Sequence, residues 1–250
     1  MIKNIKILYH QGKQYIPDVT TAEVPGIFRG RPVISRETID NKQLAAICPM
    51  EAIGQNPISL DLGKCSFCGE CSIAFPNKIQ FTKDFKISSN EREGLIIYEG
   101  NENSIILNSE KIRKEIQKLF KGSLKLRQIS AAGDNSCEWE LNAAGNVNFD
   151  MGRFGIEFVA SPRHADGIVI TGPISENMAE PVKICYDATP SPKVIILAGT
   201  DAISGGIFEK SPAINRSFLD NYKIDLFIPG NPVHPLTFIN GILSLIGVTK

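Results

Sequence analysis

Short runs of apolar residues recur through the second half of the chain, and polar turn residues separate them. The runs are DGIVIT (166–171), KVIILAG (193–199) and DLFIPG (225–230). The segment between the first two, SENMAEPVKICYDAT, is long enough to form a crossover helix. Continuous apolar strands that alternate with helices are typical of a parallel sheet covered on both faces. We therefore predict an α/β domain. Ligands of such sheets bind at the loops beyond the strand ends, which here are TGPISEN, GTDAISGGIF and PGNPVHP.

A helical periodicity precedes this domain. In NSEKIRKEIQKLFKG (108–122), Ile112, Ile116 and Leu119 would share one face, and Ser109 is a candidate N-cap. We predict an amphipathic helix here. The polar segment before it, KDFKISSNEREG, indicates a connection or long loop.

The composition excludes several classes of protein. The chain has 250 residues, of which 42% are hydrophobic and 22% charged, as in a globular protein. Its 27 Lys and Arg residues balance 27 Asp and Glu residues, so nothing argues for nucleic acid or for an electrostatic hold on a membrane. The first residues are too polar for a signal peptide, and the apolar segment 238–248 is too short to span a bilayer. We expect a cytoplasmic protein that reaches a membrane through partners.

The cysteines indicate a metal site. Without a secretory signal, the six cysteines favour a reducing compartment, in which clustered thiols more often bind metal than form disulfides. In KCSFCGECSIAFP, residues Cys65, Cys68 and Cys71 keep the spacing of the bacterial ferredoxin run C-x2-C-x2-C-x3-C-P. Phe75 stands where the fourth cysteine belongs. Cys48, in CPMEAI, has the form of the end of another such run.

Two cysteine runs have lost complementary positions. In two-cluster ferredoxins the fourth cysteine of one run ligates the cluster of the other run. One set of four thiolates is complete in this chain, namely Cys48, Cys65, Cys68 and Cys71. The other set, at Thr38, Asn41, Leu44 and Phe75, contains no cysteine, and we expect Phe75 to fill the vacated space. The spacing favours one [4Fe-4S] cluster; a structural zinc ion or a group of unligated thiols remains an alternative.

Longer motifs carry a resemblance to a known family. SLKLRQISAAGDNSCEWEL, RFGIEFVASPRHADGIVITGPISENMAEPV, YDATPSPKVIILAGTDAISGGIF and DLFIPGNPVHPLTFINGILSLIG closely resemble the small electron-transfer subunit of energy-converting nickel–iron hydrogenases and formate hydrogenlyase. The homologous subunit of respiratory complex I is similar. The N-terminal half, which includes FRGRPVI, resembles the ferredoxin-type subunit of these complexes. The resemblance implies a fusion of two subunits: a ferredoxin-like α+β domain in residues 1–100 and a flavodoxin-like, doubly wound parallel-sheet domain in residues 101–250.

In that family the small subunit holds a proximal 4Fe-4S cluster. The resemblance places its ligand positions at Asp134 and Cys137 in DNSCEWE, at Asp201 in GTDAISGG and at Asn231 in PGNPV. Three of these four residues are not cysteine, and iron–sulfur clusters are held by thiolates. We expect an emptied pocket closed by hydrogen bonds, in which Asn231 could donate to Asp201 or Asp134. A retained cluster or a different metal at this oxygen-rich site is the alternative.

The remaining candidates have ordinary explanations. Cys137 and Cys185 suit small buried apolar positions. Glu140 matches an acid that lies near the partner subunit in the family, although a solvated or capping glutamate is an equal alternative. His10 and His234 have no partner pattern. The glycines of GTDAISGG lack the G-K-[ST] ending of a phosphate loop, so nucleotide binding is not indicated.

Two functions follow from these observations. The first is an electron-transfer subunit of a membrane-associated hydrogenase-like or complex I-like oxidoreductase, not catalytic alone. It would dock a large subunit and, through that subunit, membrane subunits on the inner face of the cytoplasmic membrane. The second is a structural docking or redox-sensing subunit in which the cluster stabilises the fold.

Overall fold

Short antiparallel strands build the first half of the chain. The computed structural model describes residues 2–12 and 14–248. The elements are α1 (Ile2–Gln11), β1 (Pro32–Ile34), α2 (Asn41–Ala46), β2 (Ile53–Gln55), β3 (Ile58–Asp61), α3 (Glu70–Ala74), β4 (Ile79–Phe81), a 3-10 turn (Glu93–Leu95) and β5 (Ile96–Tyr98). Strand β1 pairs with β4, and β2, β3 and β5 form a three-stranded sheet. This mixture fits the predicted α+β organisation.

A five-stranded parallel sheet forms the second half and confirms the predicted α/β domain. The elements are α4 (Lys114–Leu119), β6 (Leu124–Ser130), α5 (Ser136–Ala143), β7 (Ile156–Phe158), β8 (Gly167–Thr171), α6 (Glu176–Ala188), β9 (Val194–Ala198), α7 (Thr200–Ser204), α8 (Ser217–Asn221), β10 (Leu226–Ile228) and α9 (Pro235–Leu245), with short 3-10 turns at Met151–Phe154, Pro162–His164 and Gly206–Phe208. The strand order is β7-β6-β8-β9-β10, which is the flavodoxin-like order 2-1-3-4-5 when the five strands of this sheet are counted along the chain. The three predicted strands and the crossover helix α6 are all present.

The two faces of this sheet are covered by different parts of the chain. Every residue of β8 and β9 is buried, because successive side chains point to opposite faces and both faces are covered. Val169 and Ile196 belong to one apolar cluster with α9 and α5. Ile168 and Ile195 belong to a second cluster that also includes the core of the first half of the chain. The two halves therefore share a continuous core across one face of the sheet.

The apolar segment near residue 240 forms a core helix. All but one of the residues of α9 are buried, and Asn240 donates from its amide to the carbonyl oxygens of Val19 and Leu236 at 2.8 Å each. Gly241 allows Ser88 to approach, since a Cβ atom there would lie 2.5 Å from the Ser88 Oγ. In the part of the chain that the structure describes, no helix is long and apolar enough to cross a membrane.

The helix predicted over 108–122 is shorter than expected. Helix α4 begins after Arg113 and has no side-chain cap, so the prediction that Ser109 caps it was wrong. Ile112 and Ile116 are buried as predicted, but Leu119 is 55% exposed. Arg113 explains the late start, because its guanidinium bonds both carboxylate oxygens of Asp225 at 3.1 and 2.9 Å and the chain there is extended.

The polar connection between the halves is bound to the sheet. Ser89 and Phe227 exchange backbone hydrogen bonds of 3.0 and 2.8 Å, which places the connection along the outer edge of β10. The segment predicted as a loop thus contains an ordered bridge and the 3-10 turn Glu93–Leu95.

Candidate metal centre and the adjoining strand-end loops

The four cysteines of the predicted set line one small cavity. Cys48 follows α2, Cys65 and Cys68 lie in the loop between β3 and α3, and Cys71 is in the first turn of α3. The other walls include apolar side chains, among them Ala52, Ile53, Leu60 and Phe81. Cys65 and Cys71 are buried, Cys48 is half-buried and Cys68 is exposed, and all four thiols are free.

The backbone around this cavity directs N–H groups at sulfur. Ala52 N–H donates to the Cys48 Sγ and Phe67 N–H donates to the Cys65 Sγ, each at 3.3 Å. The loop makes this turn with left-handed backbone at Phe67, φ +54°, and at Gly69, φ +85°. The Arg29 guanidinium donates to the Phe67 carbonyl oxygen at 3.2 Å and lies so close to Gly69 that a Cβ atom there would be 2.6 Å from Nε.

Two of the four thiols stay protonated near neutral pH when no metal is bound. Burial, together with the charges of the neighbouring cysteines, raises the pKa of Cys65 to about 12 and that of Cys71 to about 11. Because the thiolate is the form that binds metal, metal binding must release these protons. The free energy of binding must therefore exceed the free energy cost of deprotonating the thiols.

The four cysteines supply the donor type that both a 4Fe-4S cluster and a structural zinc ion require. Among residues 2–12 and 14–248, no group of three or more His, Cys, Asp or Glu side chains is arranged to hold a metal ion. A tetrahedral zinc ion with Zn–S bonds of about 2.3 Å needs its sulfurs about 3.8 Å apart, around one point. A 4Fe-4S cluster takes one thiolate at each iron corner and therefore requires a wider set of sulfurs.

Three positions of the predicted second set, Leu44, Phe75 and Asn41, make ordinary core or polar contacts. Leu44 is fully buried and Phe75 packs, half-buried, against the same apolar cluster. The Asn41 amide donates to the Gln55 carbonyl oxygen at 3.2 Å. Nearby, the buried Lys78 donates to the Glu37 carbonyl oxygen at 2.6 Å and forms an ion pair with Glu99. That Phe75 replaced a lost cluster stays a prediction.

The structure brings the predicted degenerate positions together at the carboxyl ends of β6, β9 and β10. Cys137, in the segment after β6, contacts the loops that follow β9 and β10. A Cβ atom at Gly199 would lie 2.5 Å from the Cys137 Sγ, and the Val233 N–H bonds the sulfur from the third loop. Burial raises the pKa of Cys137 to about 12. Cys137 is thus held between two loops, as a packed thiol would be.

The oxygen ligand candidates are arranged differently from the expectation. Asp134 accepts from the N–H and the hydroxyl of Ser136 at 2.9 and 2.5 Å, and these bonds lower its pKa. Burial raises the pKa of Asp201, and the charges of Asp134 and Glu138 add to this effect. Within the described residues the Asn231 amide makes no hydrogen bond to either aspartate, so the closing bond considered from the sequence is not found.

Glu138 is a site residue that the sequence reasoning missed. Its Oε1 accepts from the hydroxyls of Ser130 and Thr171 at 2.6 Å each, which ties α5 to the ends of β6 and β8. No motif signals this role, because the two donors come from separate strands.

A cavity of about 260 Å³ lies where the two halves of the chain meet. Phe28, Arg29 and Phe67 line it from the first half; Glu140, Asn231 and His234 are among the residues that line it from the second. Glu140 is half-buried, and burial raises its pKa. The cavity adjoins the cysteine loop through Phe67 and the degenerate site through Asn231, so one opening borders both.

The parallel sheet and its converging strand-end loops define an α/β domain of the flavodoxin-like class. The chain belongs to the family of the NADH ubiquinone oxidoreductase 20 Kd subunit, whose model matches residues 135–245. This finding confirms the resemblance of the second half to hydrogenase and complex I subunits.

Curated relatives agree with this family. The chain is similar to a probable membrane-bound hydrogenase subunit, mbhJ, of Pyrococcus furiosus, with 36% identity over 46% of this chain and 69% of that protein. It is 43% identical to an NADH-quinone oxidoreductase subunit of Clostridium beijerinckii, over 44% of this chain and 65% of that protein. For formate hydrogenlyase subunit 7 of Escherichia coli the identity is 32%, over 56% of this chain and 54% of that protein.

A solved structure also matches part of the chain. It is the membrane-bound sulfane sulfur reductase, an archaeal respiratory membrane complex, with a TM-score of 0.45 and 29% identity over 54% of this chain and 74% of the matched chain.

Proposed function

We propose that this protein is an electron-transfer subunit of a membrane-associated hydrogenase-like or complex I-like oxidoreductase. It carries one 4Fe-4S cluster on Cys48, Cys65, Cys68 and Cys71 and has no proximal cluster. The observation that carries the proposal is the meeting of these four thiols around one apolar cavity, in a chain whose second half belongs to the 20 Kd subunit family.

The bound cluster would supply one-electron transfer at a potential set by its surroundings. This chain's own residues tune it in two ways. The N–H groups of Ala52 and Phe67 point at ligand sulfurs and stabilise their negative charge. The apolar walls formed by Ile53, Leu60 and Phe81 limit access of water to the site.

The chemistry of the second set of residues supports the absence of a proximal cluster. Two carboxylates and an amide form a hard oxygen set that is poorly matched to iron–sulfur chemistry. Asp134 is already satisfied by Ser136, and Cys137 is packed against Gly199.

The proposed partners are a large subunit and, through it, membrane subunits. Two large apolar side chains are exposed on the elements that carry the degenerate positions, Trp139 on α5 and Ile207 after α7. Exposed aromatic and aliphatic residues of this kind are the usual anchors of a protein interface. We propose that this face docks the large subunit and that the protein is peripheral to the membrane in the assembled complex.

A second function, docking or redox sensing, is favoured by one observation. The first half of the chain, which contains the cysteine set, shares an apolar cluster with one face of the parallel sheet. A cluster in this position would stabilise the whole chain, because ligation free energy becomes folding free energy. Reversible reduction without unfolding favours electron transfer, whereas loss of the fold on reduction favours the second function.

Iron and acid-labile sulfide per chain, measured on anaerobically purified protein, test the proposal. We expect about four of each, and a sharp fall in Cys65→Ser. Cys185→Ser is the matched control, because this half-buried thiol lies in α6 outside the set and its loss should leave the iron content unchanged. About eight of each would contradict the single-cluster proposal and return a cluster to the degenerate site.

A further inference from the structure

Helix α1 stands apart from the rest of the structure. None of its ten residues is buried, although it contains three isoleucines, a leucine and a tyrosine. Ile2, Ile5, Leu8 and Tyr9 are between 59% and 90% exposed. Isolated helices this short are marginal in water and gain stability from packing an apolar face. Among the residues that the structure describes, none therefore covers these apolar side chains.

The apolar residues of α1 lie on one side of the helix. At about 100° per residue, Ile2, Ile5, Leu8 and Tyr9 occupy one arc of about 120°. Ile7 lies on the opposite side. The helix surface is therefore amphipathic, with a narrow apolar face.

Cations border that apolar face. Lys3, Lys6 and His10 occupy the adjacent arc, and the helix contains no acidic residue. A short amphipathic helix with lysines beside an apolar face is the form that lies in the interface of an anionic membrane. Tyrosine, as at Tyr9, is enriched at the membrane–water boundary.

The balanced charge of the whole chain gave no reason to expect a direct hold on a membrane, but the local charge of α1 does, and we propose that α1 docks directly onto an anionic lipid surface. The apolar arc would enter the boundary between headgroups and acyl chains, and Lys3 and Lys6 would contact lipid phosphates. Charge complementarity favours lipid over a second copy of the helix, because two such helices would bring like charges together. This inference concerns α1 alone and does not depend on the cluster or on its redox role.

The attachment of α1 allows this placement. The chain is anchored to the α/β domain from Ile16, whose N–H donates to the Asn148 carbonyl oxygen at 2.8 Å and whose carbonyl accepts from Arg153 at 2.6 Å. Before this anchor, Gly12 has a φ of +61° and nothing within 4 Å of its Cβ position. The hydrogen-bonded Ile16 therefore lies close in sequence to the end of the exposed helix.

Vesicle flotation of the full-length protein tests the proposal. We expect binding to phosphatidylcholine vesicles that contain about 30% phosphatidylglycerol and markedly weaker binding to phosphatidylcholine alone, with a fall at high salt. Ile5→Gln should reduce the bound-to-free ratio about tenfold, because the binding free energy gained by burying an isoleucine side chain corresponds to about that factor. Ile7→Gln is the matched control on the opposite side and should change the ratio less than about twofold. Lys3→Gln/Lys6→Gln should reduce binding by at least about tenfold.

Several results would overturn the proposal. One is the absence of binding to the anionic vesicles; another is equal loss in Ile5→Gln and Ile7→Gln. A third is a dimer in sedimentation that Ile5→Gln dissociates, with no vesicle binding, which would mean that a second copy covers the face. Because α1 packs on no core, these variants should keep the wild-type thermal unfolding curve, and that curve serves as the folding control.

Discussion

The hydroxyl of Thr200 donates a buried hydrogen bond of 2.9 Å to the carbonyl oxygen of Cys65. Thr200 is the first residue of α7 and immediately precedes Asp201, one of the degenerate positions. Lys64, the neighbour of Cys65, forms an ion pair with Glu209 at 2.7 Å, which also joins the two halves of the chain. The segment that contains Asp201 is thus hydrogen-bonded to the loop that carries Cys65 and Cys68.

Replacing Thr200 by valine should disturb the cysteine site from a distance. The variant leaves the Cys65 carbonyl buried without its donor, which costs about 1–3 kcal/mol of unfolding free energy. Because a shift of this carbonyl also moves the Cys65 side chain, we expect a changed reduction potential of the proposed cluster. Urea unfolding and a redox titration measure the two effects. Thr200→Ser keeps the hydroxyl and should restore both; a valine variant with unchanged stability and potential would contradict the role.

His234 should make stability depend on pH. Its Nδ1 accepts from the Leu236 N–H at 3.2 Å and caps α9, and burial lowers its pKa below the ordinary value of 6.5. As pH falls below 6.5, the unfolded chain binds the proton before the native protein does, so stability is full above 6.5 and declines as pH approaches the lowered pKa.

His234→Asn tests this pH dependence. Asparagine keeps a capping acceptor but does not titrate. Between about pH 7.5 and about pH 5.5, the urea midpoint should fall less in the variant than in the wild type. The difference between the two falls should correspond to the uptake of one proton on unfolding. An identical fall in both proteins would exclude His234 as its source.

The ion pair of Arg113 and Asp225 should matter more than other surface pairs. The Asp225 side chain is 6% exposed, burial raises its pKa, and the Arg113 charge opposes that rise. Arg113→Gln leaves this carboxylate buried without its cation and should cost about 2–4 kcal/mol, less than a fully buried pair because Arg113 is partly exposed.

Lys125→Gln is the matched control for that pair. It breaks the exposed contact of 3.3 Å with Glu157, and we expect a change below about 0.5 kcal/mol. Urea unfolding gives both values. Equal costs in the two variants would show that burial of Asp225 does not carry the effect.

Cys137 should be dispensable for iron. If it is a packed thiol, Cys137→Ala leaves the iron and sulfide content and the electron paramagnetic resonance spectrum of the reduced protein unchanged. Cys68→Ala, which removes a member of the proposed set, should lower the iron content. A loss of iron in Cys137→Ala would reassign this residue as a ligand.

The sequence predicted those parts of the fold that depend on local pattern. β8 and β9 are apolar at nearly every position because both faces are buried, and this pattern is visible in a single sequence. The alternating LKLRQIS of β6 and the three residues of β7 provided a weaker signal. The start of α4 was missed because Arg113 is held by Asp225, 112 residues away.

The candidate site also combines features that the sequence predicted with features that it could not predict. Cysteine spacing brought Cys65, Cys68 and Cys71 together with Cys48, and the structure gathers all four around one cavity. The contacts of Glu138 and Thr200 could not be predicted, because each joins elements that are distant in sequence and no local motif encodes them.

The bridge between Ser89 and Phe227 has a consequence for solubility. Strand β10 is the last strand of its sheet, and an open strand edge can pair with another copy of the same chain. By bonding Phe227 in both directions, the polar connection occupies hydrogen-bonding groups that a second molecule would otherwise use. A segment whose sequence indicates only a linker thereby protects the sheet from growing into an aggregate at this edge.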